Sequence, residues 1–161
     1  LIYTGIDPGF TGAVGFLRDD GWPIGVVDAP VFEKNGKRYL SYSKMLQILE
    51  VVLEGEEGVI CIEKVGPRPK QGISSAFRFG YGAGLWHGVA AHFYPKFRVE
   101  FVPPATWKKA LGVTADKDTS LTLARNLFPD MAPNLKRKMD DGRTEALLIA
   151  YYQLKFGVNH Q

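Results

Sequence analysis

The segment Val59-Ile-Cys-Ile62 is apolar at every position, and Glu63 follows it directly. A strand that alternates apolar with polar residues can leave one face in water, whereas one that is apolar throughout needs cover on both faces. The chain is therefore expected to fold as a sheet with helices packed on both sides, an α/β architecture. Glu63 then stands at the strand's carboxyl end, where open α/β sheets collect their ligands.

The remaining segments supply the other elements. Ile2 to Ile6 is a second short apolar run, ending at Asp7-Pro8-Gly9. Gly12–Leu17 and Gly21–Val27 follow, with Asp19-Asp20-Gly21 between them. The Asp-Gly pair marks a hairpin, so three antiparallel strands open the chain. Val31–Leu40 carries Asn35-Gly36 among Lys34, Lys37 and Arg38 and reads as a small basic ribbon or loop.

After Ser43, the helical spacing of Met45, Ile48, Leu49 and Val52, with Gly55 as a stop, predicts an amphipathic helix that crosses back to the Val59 strand. Ser74–Phe93 reads as a helix despite Gly80, Gly82, Gly84 and Gly88, each of which costs about 1 kcal/mol relative to alanine. Gly80, Gly84 and Gly88 recur every four residues and form a ridge without side chains, expected to let a strand or another helix pack closely.

Arg98–Val102 predicts a fifth strand, stopped by Pro103-Pro104, and Pro104–Leu111 a short helix. Thr114 or Asp116 can cap the next helix, which turns Leu121, Ala124 and Leu127 or Phe128 inward. A proline-containing loop, Asp130–Lys138, precedes a last helix that starts at Asp140 or Asp141 and runs to about Phe156. The reading is one domain over residues 1–161, with a five-stranded mixed sheet of three antiparallel strands followed by two parallel ones and helices on both faces.

Composition narrows the function classes. Hydrophobic residues make up 45% of the chain and charged ones 23%, far from the signature of disorder. The single cysteine, Cys61, excludes an intramolecular disulfide and fits a reducing compartment. With no basic-then-apolar leader and no run of the roughly 18 apolar residues that a membrane span needs, the expectation is a cytoplasmic protein without membrane contact.

The acids carry the chemistry. Hydrolysis of a phosphodiester needs a nucleophilic water and stabilised charge on the leaving oxygen, and paired divalent cations held by clustered carboxylates provide both. Asp7 ends one apolar strand and Glu63 another; if those strands are neighbours, the two carboxylates meet. Asp141 and Glu145 lie one helical turn apart on a face that continues through Leu148, Ile149 and Tyr152. Like charges at that spacing weaken a helix by about 0.2–0.5 kcal/mol, a cost that the helix N-terminus or a bound cation offsets. Turn and capping roles explain each acid singly but do not predict acids at two strand ends and a helix start that could converge.

The formal net charge is only +3. Setting those four acids aside leaves 20 cations against 13 anions, a surface suited to a polyanion that approaches an acidic pocket. Between Lys64 and Gly80 lie Lys64, Arg68, Lys70 and Arg78 with no acid among them, which predicts a DNA-contacting loop and helix start. His87 and His92 carry no predicted chemistry.

Six segments in order, Gly5-Ile-Asp7-Pro-Gly9, Ile62-Glu63, Ser75-Ala-Phe-Arg-Phe-Gly-Tyr-Gly-Ala-Gly84, Val102-Pro-Pro-Ala-Thr-Trp-Lys-Lys109, Leu111-Gly-Val113 and Asp141-Gly-Arg-Thr-Glu-Ala-Leu-Leu-Ile-Ala150, give the chain its resemblance. Over nearly its whole length it resembles the RuvC-type Holliday-junction resolvases, in the variety often carried by bacteriophages. The resemblance implies an RNase H-like fold, a homodimer in a bacterium or a phage-infected host cell, and a crossover junction endodeoxyribonuclease that makes paired symmetric nicks in four-way DNA, leaving 5′-phosphate and 3′-hydroxyl ends, as DNA recombination and repair require. It further implies that two Mg²⁺ or Mn²⁺ ions are held by Asp7, Glu63 and the Asp141/Glu145 pair. Lys108 and Lys117 match places where the family has DNA-contacting or catalytic lysines.

Two departures stand out. The family's last motif has two aspartates three apart, whereas Asp141 and Glu145 are four apart with Gly142 between them. Asp140 and Asp141 therefore compete for one metal-ligand role, and Asp141 is favoured because it shares a helical face with Glu145. The aromatic wedge usual after the second acid is replaced by Val65-Gly66-Pro67-Arg68.

Alternative readings keep the carboxylates but change the substrate, to RNA–DNA hybrid, structured RNA or flap and fork DNA, or keep the fold as a non-catalytic junction-binding module. An actin-like or sugar-kinase ATPase uses a similar Gly-Ile-Asp-Pro-Gly turn but needs a second domain, for which 161 residues leave no room. The expected dimer interface is the glycine helix with Phe79, Tyr81 and Trp86.

Overall fold

In the computed structural model, which describes residues 1–67, 69–136 and 140–157, the chain opens with strands β1 (Ile2–Asp7), β2 (Ala13–Arg18) and β3 (Pro23–Asp28). After α1 (Tyr42–Leu53) come β6 (Gly58–Glu63), α2 (Ile73–Ala91) and β7 (Phe97–Val102). The sheet order is β3-β2-β1-β6-β7; β1 pairs antiparallel with β2 and parallel with β6, and β6 pairs parallel with β7. Three helices complete the chain: α3 (Pro104–Ala110), α4 (Lys117–Leu127) and α5 (Asp141–Phe156). The mixed five-stranded sheet is the expected one.

Val31–Leu40 forms a separate two-stranded ribbon, β4 (Val31–Lys34) with β5 (Lys37–Leu40). Asn35 and Gly36 take φ of 53° and 70°, the left-handed pair that a tight hairpin turn requires. Helix α1 begins before Ser43 and is capped by Ser41, whose hydroxyl accepts from the Lys44 amide; of the two candidates for α4, Asp116 is the cap and accepts from the Asp118 amide.

Two cores lie on opposite faces of the sheet, as the all-apolar β6 demands. On one face Ile6, Ile60 and Ile62 pack with Met45 and Leu49 of α1 and Trp86 and Val89 of α2. On the other, Tyr3, Val59 and Cys61 pack with Trp107, Ala124 and the fully buried stretch Leu147–Ala150 of α5. Successive side chains of a strand alternate between faces. Asp7 therefore follows Tyr3 and Gly5, and Glu63 follows Val59 and Cys61, onto the α5 side.

The glycine expectation needs correcting. A methyl group added at Gly80, Gly84 or Gly88 would meet nothing within 4 Å, so that ridge faces away from the chain's own core. Close packing falls instead to the sheet and α5. A Cβ at Gly5 would collide with the backbone of Ala146 and Ala150, one at Gly15 would lie 2.9 Å from the Leu147 nitrogen, and one at Gly142 would strike the Thr11 carbonyl. Trp86 is also corrected: it is fully buried in the first core and offers nothing to a partner. Among the described residues no helix is long and apolar enough to cross a membrane.

Candidate active site

Parallel pairing of β1 with β6, in register through Ile6 and Ile62, brings Asp7 and Glu63 to the same sheet edge on the same face. Glu145 reaches them from the first turns of α5, and one carboxylate oxygen from each of the three lies within 4.8 Å of the others. Asp141 stands one turn earlier on α5, near enough to raise the Asp7 pKa. Backbone contact at Gly142 holds this part of α5 against the Thr11-Gly12 turn, so the glycine that departs from the family pattern is what the close approach requires. The Arg143 guanidinium grips Asp28 at the end of β3 through two hydrogen bonds of 2.6 and 2.7 Å, tying the same helical turn to the far side of the sheet.

The electrostatics are those of crowded acids. Asp7 is pushed up to about 7, first by burial and then by Glu145, Glu63 and Asp141, against a lowering contribution from the Gly9 amide that donates to its Oδ1 at 3.3 Å. Two lysines answer the charge from outside. Lys108 Nζ lies 2.8 Å from Glu145 Oε1, and Lys117 Nζ lies 2.6 Å from Asp141 Oδ2. The Lys117 ammonium is held above its ordinary pKa mainly by that hydrogen bond to Asp141. Glu63, almost wholly buried, accepts from the indole Nε1–H of Trp107 at 2.9 Å. A group of carboxylates this close repels itself unless protons, ammonium groups or a hard cation intervene. Oxygen donors from three acids form the donor set that Mg²⁺ or Mn²⁺ takes.

Asp140, the competing aspartate, is elsewhere. It is buried at the start of α5, and its Oδ2 accepts from the Lys136 amide at 3.1 Å. Lys64 and Lys70 are exposed on the loop leaving β6, and Arg78 is exposed on α2 with its guanidinium 5.8 Å from the centre of the Phe10 ring. Arg68 lies outside the described residues.

Sequence reasoning gave no role to Trp107, although it lies within the Val102–Lys109 motif. An indole is ordinarily read as core, and only the fold shows its N–H meeting an acid 44 positions away. The Arg143–Asp28 pair, 115 residues apart, left no local signal either.

Comparisons with known proteins agree with this frame. No family model matches the chain. A segment of 88 residues, 53% of this chain, is 39% identical to the chloroplastic Holliday junction resolvase MOC1 of Chlamydomonas reinhardtii, and it spans 10% of that protein's length. The structure of T. thermophilus RuvC in complex with Holliday junction substrate superposes with a TM-score of 0.63 at 16% identity, covering 95% of this chain and 92% of that one. A second Thermus thermophilus RuvC structure gives a TM-score of 0.55 at 19% identity over 94% of this chain and 95% of that one. The chain thus has the RNase H-like fold of RuvC over nearly its whole length, and over half of it is similar in sequence to a Holliday-junction resolvase.

Proposed function

We propose that this chain is a metal-dependent endonuclease that resolves four-way or otherwise branched DNA junctions by paired nicks, leaving 5′-phosphate and 3′-hydroxyl ends. The observation that carries the proposal is the meeting of Asp7, Glu63 and Glu145 within 4.8 Å at the carboxyl edge of β1 and β6. Those three, with Asp141 beside them, would hold a pair of Mg²⁺ or Mn²⁺ ions, which supply an activated water and charge stabilisation at the scissile phosphodiester.

The chain's own side chains do the rest. Trp107 fixes the orientation of Glu63 through its N–H, and Lys108 and Lys117 bring positive charge to the rim where a phosphate must enter. Lys64, Lys70 and Arg78 extend that rim toward flanking phosphates, and Arg68 adds a further cation to the same stretch of sequence. Two symmetric nicks call for two sites, which a twofold dimer supplies. The exposed ridge Gly80, Gly84, Gly88 on α2 lets a second copy of that helix come close. Gly84→Leu is expected to turn a dimer into a monomer in sedimentation.

The deciding experiment offers labelled four-way junction, Y-fork, linear duplex and RNA–DNA hybrid in Mg²⁺ or Mn²⁺. Symmetric nicks in the junction support the proposal. Cleavage chiefly of fork or hybrid reassigns the substrate, and tight junction binding without any cleavage favours a non-catalytic module.

A further inference from the structure

Between the β4–β5 ribbon and the first three turns of α2 runs a groove of about 600 Å³ that lies outside the carboxylate cluster. Four aromatic side chains line it: Phe10, Tyr39, Phe77 and Tyr81. Phe77 is 76% exposed and Tyr81 56%. Large aromatic rings left open side by side mark a binding surface more often than a solvated one. Lys37, Arg38 and Arg78 stand among them, and no acid among the described residues lines the groove.

We propose that this groove binds an unpaired DNA strand beside the scissile phosphate, its bases stacked on the aromatic rings and its phosphates met by the three cations; the inference rests on the branched-DNA reading above. Aromatic rings interleaved with cations on a concave surface are the chemistry that takes single-stranded nucleic acid, because every base presents a π-face and every linkage a negative charge. In a duplex those faces are already stacked, so a paired strand can use the cations but not the rings.

Position supports the occupant. Phe10 is three residues beyond Asp7, and the Arg78 guanidinium over the Phe10 ring joins the groove to the edge that carries the acids. The ribbon continues the same chemistry. Strand alternation places Phe32, Lys34, Lys37 and Tyr39 on one of its faces, where the Phe32 and Tyr39 rings stack at 5.6 Å. A second copy of this chain is the poorer occupant, since groove against groove would set like cations together.

The test is a binding measurement in EDTA, where cleavage plays no part. Fluorescence anisotropy would follow a labelled oligothymidylate and, separately, a blunt duplex of equal length, with wild type, Phe77→Ala, Tyr39→Ala and Phe77→Trp. Each alanine is expected to weaken oligothymidylate binding about tenfold while changing duplex binding less than about twofold, and Phe77→Trp to keep it near wild type. A 5-iododeoxyuridine oligonucleotide should photocrosslink to Tyr39, Phe77 or Tyr81. Unchanged oligothymidylate binding, equal losses on both probes, or conversion of a dimer to a monomer by Phe77→Ala would each overturn the proposal, the last by giving the groove to a second copy. Junction cleavage by wild type with no such aromatic dependence removes the groove and leaves the nuclease; aromatic-dependent strand binding without cleavage does the reverse.

Discussion

Trp107 donates its indole N–H to Glu63 Oε1 over 2.9 Å, inside the protein and across 44 residues of sequence. The bond joins α3 to the end of β6 and fixes which way an acid of the carboxylate cluster points. Trp107→Phe keeps most of the packing volume and removes the donor. Partners that orient a metal ligand are worth about 10–100-fold in metal affinity or activity, and a buried acceptor that loses its donor costs about 1–3 kcal/mol. The expected outcome is a weaker calorimetric affinity for Mn²⁺ and slower junction cleavage by those factors. Wild-type values for both would show that Glu63 needs no such support.

Asp7 ties stability to pH. Its folded pKa of about 7 lies above the ordinary 3.8, so the folded state holds a proton that the unfolded chain would release. That contribution is fully present below about pH 4, is lost as pH rises toward 7, and is flat beyond. Without divalent cations, the thermal midpoint of the wild type relative to Asp7→Asn should fall across that window, and Mg²⁺ or Mn²⁺ at pH 8 should restore it, because a cation replaces the proton. Parallel profiles for the two proteins, or no response to cation, would remove Asp7 from the cluster's electrostatics.

The two adjacent aspartates should separate in function. Asp140 accepts from the Lys136 amide and can pass that role to an asparagine carbonyl, whereas Asp141 faces Lys117 and raises Asp7. Asp140→Asn is therefore expected to retain cleavage within a few-fold, and Asp141→Asn to lose about a hundredfold or more. Steady-state rates on labelled junction decide it, and the reverse order would assign the ligand to Asp140.

Gly142 sets how closely α5 approaches the Asp7 turn. A methyl group there would strike the Thr11 carbonyl, which is backbone and cannot swing aside. Gly142→Ala should cost about 1–3 kcal/mol in denaturant unfolding. It should also slow cleavage by about a hundredfold, since a displacement near 1 Å misplaces Asp141 and Glu145. Cleavage at the wild-type rate would mean that α5 is seated by other contacts.

What was legible in the chain follows from how local each signal is. The all-apolar Val59–Ile62 run demanded two covered faces, and both cores are there. Asp7 and Glu63 were legible as strand-end acids because each follows its strand directly. Their meeting was not, since it depends on β1 lying beside β6, a pairing made across 56 residues, as from Ile6 to Ile62. The glycines misled about packing within the chain for the same reason. Gly80, Gly84 and Gly88 have the periodicity of a packing ridge, while Gly5, Gly15 and Gly142, which do the packing, have none because they come from three elements. The Asn35-Gly36 turn announced a ribbon, but only the fold sets Tyr39 beside Phe77.

The central claim is that the acids gathered at the β1 and β6 edge cut branched DNA with the help of a divalent cation. Its most direct test is strand-resolved nicking of an end-labelled four-way junction by wild type and Glu63→Gln, each with Mg²⁺ and with EDTA. Paired nicks at symmetric positions are expected with wild type in Mg²⁺, and none in the other three reactions. Nicks by Glu63→Gln at the wild-type rate, or nicks that persist in EDTA, would contradict it.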